Sequence, residues 1–213
     1  VPIERTNEIT NPSGETATTG YTAGAGTLTR SGEQQYHGAY SFKYVPSAAT
    51  TDGFFYLTTT FTIGQFRAIH CKFLGQANRP YTLALATTGG VDLVTKNFIA
   101  SGRWEWIILY WLEVSSTTRR IYFRKNGSTN VGAFYVDGVQ SEVINTGETA
   151  STYIDGDQLG LVPNQNPPAY VWTGLPHAST SIRSGQTRAG GMVVHFSRYN
   201  FILVAMIGLG LAT

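Results

Sequence analysis

Short stretches of alternating apolar and polar residues recur along this chain, and they constrain its fold more than any other feature. The stretches cover residues 40–45, 53–61, 66–73, 81–87, 91–99, 104–114, 119–125 and 132–144. A strand points its side chains alternately to its two faces, so this period of two predicts half-buried β-strands. Gly89-Gly90 and Asn126-Gly127 predict hairpin turns, and no amphipathic helix of three turns is evident. The sequence therefore predicts an all-β fold of two packed antiparallel sheets, a sandwich or jelly roll.

The stretch 104–114 is apolar on both of its alternating sides. One side carries Trp104, Trp106, Ile108, Tyr110 and Leu112, and the other carries Glu105, Ile107, Leu109, Trp111 and Glu113. We predict that the first side faces the core. The second side, which has a tryptophan and two flanking acids, is predicted to be half exposed.

Composition excludes several classes of protein. Apolar residues make up 42% of the 213 residues and charged residues only 13%, which argues against disorder. A formal net charge of +2 provides no basic surface for phosphates, so we do not expect nucleic acid as a partner. Cys71 is the single cysteine and alternates with Ile69 and Phe73, which predicts a buried, inert thiol.

The character of the sequence changes after about residue 145. Residues 147–190 are rich in Gly, Pro, Ser, Thr and Asn, so few long ladders are expected there. We predict a sandwich over residues 1–145 and a loop-rich extension over residues 146–213, packed on the sandwich or on a neighbouring subunit. Residues 201–211 are continuously apolar but fall short of the roughly 20 that span a bilayer. They predict a buried strand and no membrane anchor.

Several segments, in order, resemble jelly-roll carbohydrate-binding modules with a galactose-binding-domain-like fold. Residues 5–15 (RTNEITNPSGE) resemble the entry of these modules, and residues 36–44 (YHGAYSFKY) resemble their second strand. Trp104 opens a strand like one of theirs, and residues 134–142 (FYVDGVQSE) resemble their closing strand. Gly14 and Tyr21 stand where Phe and Trp are usual in the family, so packing at the entry is expected to differ.

A second resemblance follows the first along the chain. Residues 153–157 (YIDGD) and 172–181 (WTGLPHASTS) are similar to a stretch that follows such a module in phage minor tail and other virion proteins. This resemblance implies a virion component, tail-associated or capsid-decorating.

The family resemblance also implies two kinds of ligand. A structural Ca²⁺ often lies between the entry and the closing strand of related modules, and the matching positions are Glu15 and Asp137. The alternative is that Asp137 belongs to a turn with Gly138 and that Glu15 is solvated. Sugars stack on exposed aromatic faces. The candidates from strand alternation are Tyr56, Tyr81, Trp111 and Tyr122, with Arg67 and Arg124 as polar neighbours, and the alternative is that these rings are core.

Two polar clusters could suggest catalysis, and neither is complete. Asp155 and Asp157 flank a glycine, which is typical of a turn, and the bidentate Glu of an EF-hand loop is missing. His177 precedes Ser179 and Ser181, but no G-x-S-x-G elbow or orienting acid accompanies them. We therefore expect no enzymatic activity.

The apolar C-terminal stretch must hide both of its faces, which a neighbouring subunit could do. The residues expected in this subunit contact are Phe201, Leu203, Val204, Met206 and Ile207. The sequence thus predicts a non-catalytic virion structural protein that assembles with itself or with other virion proteins and can bind a cell-surface or extracellular glycan. The alternative is a secreted carbohydrate-binding module of a larger polysaccharide-degrading enzyme. Either function places the chain in a virion or outside the cell.

Overall fold

The computed structural model describes residues 5–47, 51–127, 132–154, 170–173, 175–176 and 180–183. These residues contain strands and loops and no helix. The strands are β1 (Arg5–Asn7), β2 (Tyr21–Ala23), β3 (Thr27–Ser31), β4 (Ser41–Val45), β5 (Gly53–Leu57), β6 (Phe66–Leu74), β7 (Pro80–Ala86), β8 (Asp92–Ile99), β9 (Glu105–Leu112), β10 (Arg120–Lys125), β11 (Phe134–Ile144), β12 (Tyr170–Trp172) and β13 (Ser181–Arg183). The predicted all-β class is confirmed.

Two five-stranded antiparallel sheets form the sandwich. Sheet I has the strand order β2-β5-β10-β7-β8, and sheet II has the order β3-β4-β11-β6-β9. A small third sheet, β1-β13-β12, joins the start of the chain to strands beyond residue 169. Consecutive strands often change sheet, as in a jelly roll, because each sheet covers one face of the same core.

Aromatic rings from both sheets fill the space between them. The Phe54 ring of sheet I lies 6.0 Å from the Phe134 ring of sheet II, measured between centroids. Tyr81 of sheet I and Phe73 of sheet II lie 4.8 Å apart by the same measure. Each such pair contributes about 0.5–1.5 kcal/mol beyond the burial of apolar area. Cys71 is buried in this core, as predicted, and burial raises the pKa of its thiol.

At the entry, Gly14 and Tyr21 fit around the ring of Phe42. Gly14 has a φ of +73°, and a Cβ there would lie 3.3 Å from Phe42 Cε1. The Tyr21 ring centroid is 4.0 Å from that of Phe42. A small residue at position 14 therefore leaves room for Phe42 to pack on Tyr21.

The prediction for the two sides of β9 is wrong. Ile107 and Leu109 are buried in the core, whereas Trp106 and Tyr110 are each 40% exposed and Leu112 is 52% exposed. Both sides of this strand carry large apolar residues, and the side with two acids is the one that packs inward, so alternation alone does not decide which side faces the core. The side that was predicted to be core forms part of the outer face of sheet II.

One of the two predicted hairpin turns is confirmed. Gly89 and Gly90 lie in the loop between β7 and β8, which pair antiparallel, and Gly90 has a φ of +87°. Gly127 also has a positive φ, of +92°. However, β10 belongs to sheet I and β11 to sheet II, so Asn126-Gly127 begins a crossover between sheets, not a hairpin.

The extension predicted over residues 146–213 is described only in part. Its residues 151, 153 and 154 are buried, and β13 pairs with β1. No helix in the part of the chain that the structure describes is long and apolar enough to cross a membrane. The predicted subunit contact at Phe201, Leu203, Val204, Met206 and Ile207 lies outside the described residues, as do Asp155, Asp157, His177 and Ser179.

Candidate functional site

A cavity of about 180 Å³ lies on the outer face of sheet II. Ile69, Cys71 and Phe73 of β6 enter the core, so the alternate residues His70 and Lys72 point to this outer face. The volume falls below the roughly 300 Å³ at which drug-sized sites begin, and it suits one small ring. The cavity is lined by Tyr36, His37, His70, Lys72, Trp106, Gly138, Thr152 and Tyr153.

A bulge in β11 shapes one wall of the cavity. The register of β11 against β6 shifts between Asp137 and Gln140, and Gly138 between them has a φ of +55°. A Cβ on Gly138 would lie 2.8 Å from His37 Cδ2. Glycine is thus required here both for the backbone conformation and for the close approach of His37.

The buried carboxylate of Asp137 fixes the loop that brings Tyr36 and His37 to the cavity. Its Oδ2 accepts hydrogen bonds from the backbone N–H groups of Tyr36 and His37, at 2.7 and 2.8 Å. Its Oδ1 accepts one from the N–H of Gly138 at 2.7 Å. Burial raises the pKa of Asp137 to about 7, although these three donors act in the opposite direction.

The two residues predicted to hold calcium both bind this same loop. Oε1 of Glu15 accepts hydrogen bonds from the N–H groups of Ala39 and Tyr40, at 2.8 and 3.0 Å. Ca²⁺ takes six to eight oxygen ligands, and in the described ranges no three His, Cys, Asp or Glu side chains are grouped to hold a metal ion. Backbone donors bind both oxygens of Asp137 and Oε1 of Glu15, and calcium at Glu15 and Asp137 stays a prediction.

Trp106 and His70 form a fixed pair in the cavity wall. The indole Nε1 of Trp106 donates a hydrogen bond to Nδ1 of His70 at 2.9 Å. Because an indole N–H can only donate, Nδ1 is unprotonated and the imidazole proton resides on Nε2. His70 is 1% exposed, and its Nε2 has no hydrogen-bond partner among the described residues. Burial, with a smaller contribution from Lys72, lowers the pKa of His70 to about 3.

Lys72 supplies a positive charge to the cavity. Its Nζ lies 4.3 Å from the ring centroid of Tyr36 and 5.5 Å from that of Trp106. Tyr36 is 47% exposed, so an aromatic surface and a cation meet at the cavity mouth. Burial together with the Lys72 charge lowers the pKa of His37 to about 4, so both histidines are neutral near pH 7.

Residues 150–154, here called the crossing segment, close one end of the cavity. The Ser151 N–H and hydroxyl donate to the two carboxylate oxygens of Glu142, at 2.6 and 2.9 Å. The Ile154 N–H donates to Gln140 Oε1 at 2.6 Å. Glu142 and Gln140 lie opposite Ala68 and His70 of β6, so the crossing segment passes over sheet II at that level.

A second depression lies beside the cavity. This depression has a volume of about 480 Å³ and is lined by Gln34, Leu74, Gly75, Gln76, Gly102, Arg103, Trp104, Ala133 and Tyr135. The rings of Tyr36 and Trp104, one from each site, lie 6.0 Å apart by centroid. Leu74 of the second depression follows His70 and Lys72 of the cavity along β6, so the order along this strand is crossing segment, cavity and second depression. The cavity and the neighbouring depression are together called the groove.

Two of the four predicted sugar-binding rings are not available to a ligand, and for them the prediction is wrong. Tyr81 is 0% exposed and Tyr56 is 5% exposed, because both point between the sheets. Their hydroxyl groups accept hydrogen bonds from the backbone N–H groups of Gln76 and Thr10.

The other two predicted rings, Trp111 and Tyr122, are half-buried and lie apart from the cavity. Trp111 packs against the core and donates to Glu113, and Tyr122 lies on the outer face of sheet I. A sugar-binding role for these two stays a prediction. Of the polar neighbours, Arg67 is buried against Phe61, and Arg124 pairs with Asp92.

The cavity residues were not predicted as a site. Trp106 lies on the side of its strand that is predicted to be core, and nothing in the sequence marks His70 as a ligand-binding residue. Tyr36 and His37 belong to the segment that resembles the second strand of carbohydrate-binding modules. This resemblance is the sequence feature that points to them as site residues. Four distant segments and a bulge create the cavity, and alternation within one strand cannot reveal that arrangement.

No protein-family model and no curated protein matches this sequence. Solved structures do match the fold. The arabinose-bound MgGH51 α-L-arabinofuranosidase has a TM-score of 0.55 at 12% identity, over 65% of this chain and 26% of that chain. A family 16 carbohydrate-binding module has a TM-score of 0.52 at 13% identity, over 63% and 99% of the two chains.

A protein of another kind shares this architecture. A Stig cyclase from Fischerella sp. TAU, solved in complex with an indole compound, has a TM-score of 0.55 at 9% identity, over 67% of this chain and 98% of that chain. Identities this low show the fold alone. The chain thus has the jelly-roll sandwich fold of carbohydrate-binding modules, and its function must be argued from its own site.

Proposed function

We propose that this chain is a non-catalytic carbohydrate-binding protein whose site is the groove on sheet II. The observation that carries the proposal is the exposed ring of Trp106, held rigid by its bond to His70 at the cavity wall. Pyranose rings present apolar C–H faces that stack on such rings, while their hydroxyl groups need fixed polar partners.

Polar partners surround this aromatic surface. Lys72 and Thr152 line the cavity, and the imidazoles of His37 and His70 each have a buried Nε2 without a hydrogen-bond partner among the described residues. The second depression lies beside the cavity, with the Trp104 ring 6.0 Å from that of Tyr36, and it offers space for a further sugar ring. The fold shared with a family 16 carbohydrate-binding module supports the same function.

The carboxylates near the cavity support binding without hydrolysis. Glycoside hydrolysis uses two accessible acids on opposite sides of the scissile bond. Asp137 and Glu142 are both 0% exposed, and they bind backbone amides and Ser151 respectively. Neither is free to donate a proton to a leaving group. A broad glycosidase screen on the intact protein that detected turnover would contradict a purely binding role.

Glycan-array screening followed by titration calorimetry tests the binding proposal. We expect Tyr36→Ala to weaken binding about tenfold, the typical loss for one aromatic contact. Tyr40→Ala is a matched control, because Tyr40 lies in the same loop but does not line the cavity. Its ring packs against Arg30, whose Cζ lies 3.3 Å from the ring centroid. Equal affinity in wild type and Tyr36→Ala, or no glycan bound at all, would refute the proposal.

The more specific prediction, a virion structural protein, goes beyond these observations and stays a prediction, as does the virion or extracellular location. Native mass and symmetry distinguish it from the alternative of a module in a larger secreted enzyme, because virion components assemble. Deletion of residues 199–213 should abolish oligomers if the C-terminal stretch makes the subunit contact. A deletion variant with an unchanged oligomeric state would count against that contact.

A further inference from the structure

The charges around the cavity are unbalanced. Lys72 is the only Lys, Arg, Asp or Glu among the described lining residues, and both histidines have pKa values of about 4 or below. The ion pairs formed within the described ranges do not include Lys72. Its ammonium group instead lies beside the rings of Tyr36 and Trp106.

The nearest carboxylates are already engaged. Asp137 lies directly opposite Lys72 in the β6–β11 register, but its oxygens accept three backbone N–H groups, and its pKa of about 7 leaves it only partly charged at neutral pH. Oε1 of Glu142 lies 3.9 Å from Nε2 of His70. The two carboxylate oxygens of Glu142 accept hydrogen bonds from the N–H and hydroxyl groups of Ser151. Neither acid forms an ion pair with Lys72.

We infer that the cavity binds an acidic sugar, whose anionic group lies against the ammonium of Lys72 while its ring stacks on Trp106. This inference rests on the proposed glycan binding and names its ligand class. A carboxylate or a sulfate ester provides the same chemistry, an anion that only accepts hydrogen bonds.

A buried donor supports the same ligand. His70 lines the cavity, and the residue as a whole is 1% exposed. Its Nε2–H group has no hydrogen-bond partner among the described residues. A buried donor without a partner is costly, so a ligand acceptor that reaches it gains more than in water. An anionic oxygen is the strongest such acceptor.

Titration calorimetry with matched pairs of oligosaccharides tests the inference. The probes are a galacturonate oligosaccharide and its full methyl ester, and a sulfated galactan oligosaccharide and its desulfated form. Each pair keeps its sugar backbone and differs in charge. We expect at least one charged member to bind about tenfold more tightly than its neutral partner, and raised NaCl to weaken only the charged one.

Three variants locate the charge that is recognised. Lys72→Gln should remove the preference for the charged member, and Lys72→Arg should retain most of it. Lys96→Gln is the matched control, because Lys96 is exposed on β8 of sheet I. Thermal melting checks that each variant is folded.

The outcomes separate the two proposals. Neutral members that bind as tightly as charged ones, or a preference that survives in Lys72→Gln, would overturn the acidic ligand and leave glycan binding intact. Failure of every probe and of a broad glycan array would overturn both. A preference for the uronate alone or for the sulfate alone identifies the anion and supports the inference.

Discussion

The two sheets have the same kind of inner face and very different outer faces. On sheet I, the rings of Phe55 and Tyr122 lie 5.0 Å apart by centroid, Arg120 donates to the Tyr122 hydroxyl at 2.9 Å, and Arg124 pairs with Asp92. Arg120 and Arg124 thus each have a polar partner within the sheet. On sheet II, Lys72 has no such partner among the described residues, and a bulge opens a cavity beside it. Exposed rings occur on both faces, so unmatched polar groups are the better indicator of a binding site.

The largest expected effect comes from removing the ring at the cavity wall. We expect Trp106→Ala to weaken glycan binding about 100-fold, close to 3 kcal/mol, because it deletes the stacking surface and releases His70. Tyr122→Ala on sheet I should leave the affinity unchanged. Titration calorimetry on both variants measures the contrast, and the reverse result would move the site to sheet I.

A pair of glycine variants compares crowding on the two sheets. Gly138→Ala should lower the free energy of unfolding by about 2–3 kcal/mol, because it adds both a strained positive φ and a contact with His37 at 2.8 Å. Gly90 also has a positive φ, but a Cβ there would lie at an ordinary 3.6 Å from the side chains of Arg120 and Tyr122. Gly90→Ala should therefore lower the free energy of unfolding by only about 1–2 kcal/mol. Urea unfolding tests both, and equal losses would show that the bulge is not crowded.

Acid is expected to destabilise sheet II before sheet I. His70 has a folded pKa of about 3 and an ordinary value of 6.5, so the folded state binds fewer protons between these values. Its contribution to stability is therefore full above pH 6.5 and is lost as the pH falls toward 3. His37 acts in the same direction between 6.5 and about 4, whereas Asp137, with its raised pKa, acts in the opposite direction between about 4 and 7.

The measurement is amide hydrogen exchange at pH 7 and pH 5. Protection factors, which correct for the slower intrinsic exchange at the lower pH, should fall in β6 and β11 more than in β7 and β10. In His70→Gln, which keeps an acceptor for the indole, the loss of stability on acidification should shrink by on the order of 1 kcal/mol. An unchanged pH dependence of stability in that variant would show that His70 does not cause the loss of stability in acid.

The smallest effect is expected from chelation. Backbone N–H groups account for the carboxylate contacts of Glu15 and Asp137, so we expect EDTA to leave the Tm unchanged. A drop of several degrees, reversed by added Ca²⁺, would support the calcium site that the family resemblance implies.

The sequence predicted strands well because one alternating stretch is enough to define one strand. The stretch 81–87 became β7, residues 80–86, and Gly89-Gly90 formed the hairpin to β8. The outward side of β9 could not be predicted, since Ile107 and Trp106 are both strongly apolar and only the partner sheet decides between them. The cavity could not be predicted either. Its walls are brought together by a register shift at Gly138 and by contacts between residues about 100 positions apart in the sequence.

The position of the crossing segment affects which part of a long polymer can bind. Among the described residues this segment lies over sheet II at the level of Ala68 and His70, so a glycan that reaches the cavity from the side of Trp104 would meet it. We therefore expect polymer ends to bind in preference to internal stretches. Saturation at a fixed mass of polysaccharide should therefore fall as the degree of polymerisation rises, since longer polymers offer fewer ends per gram.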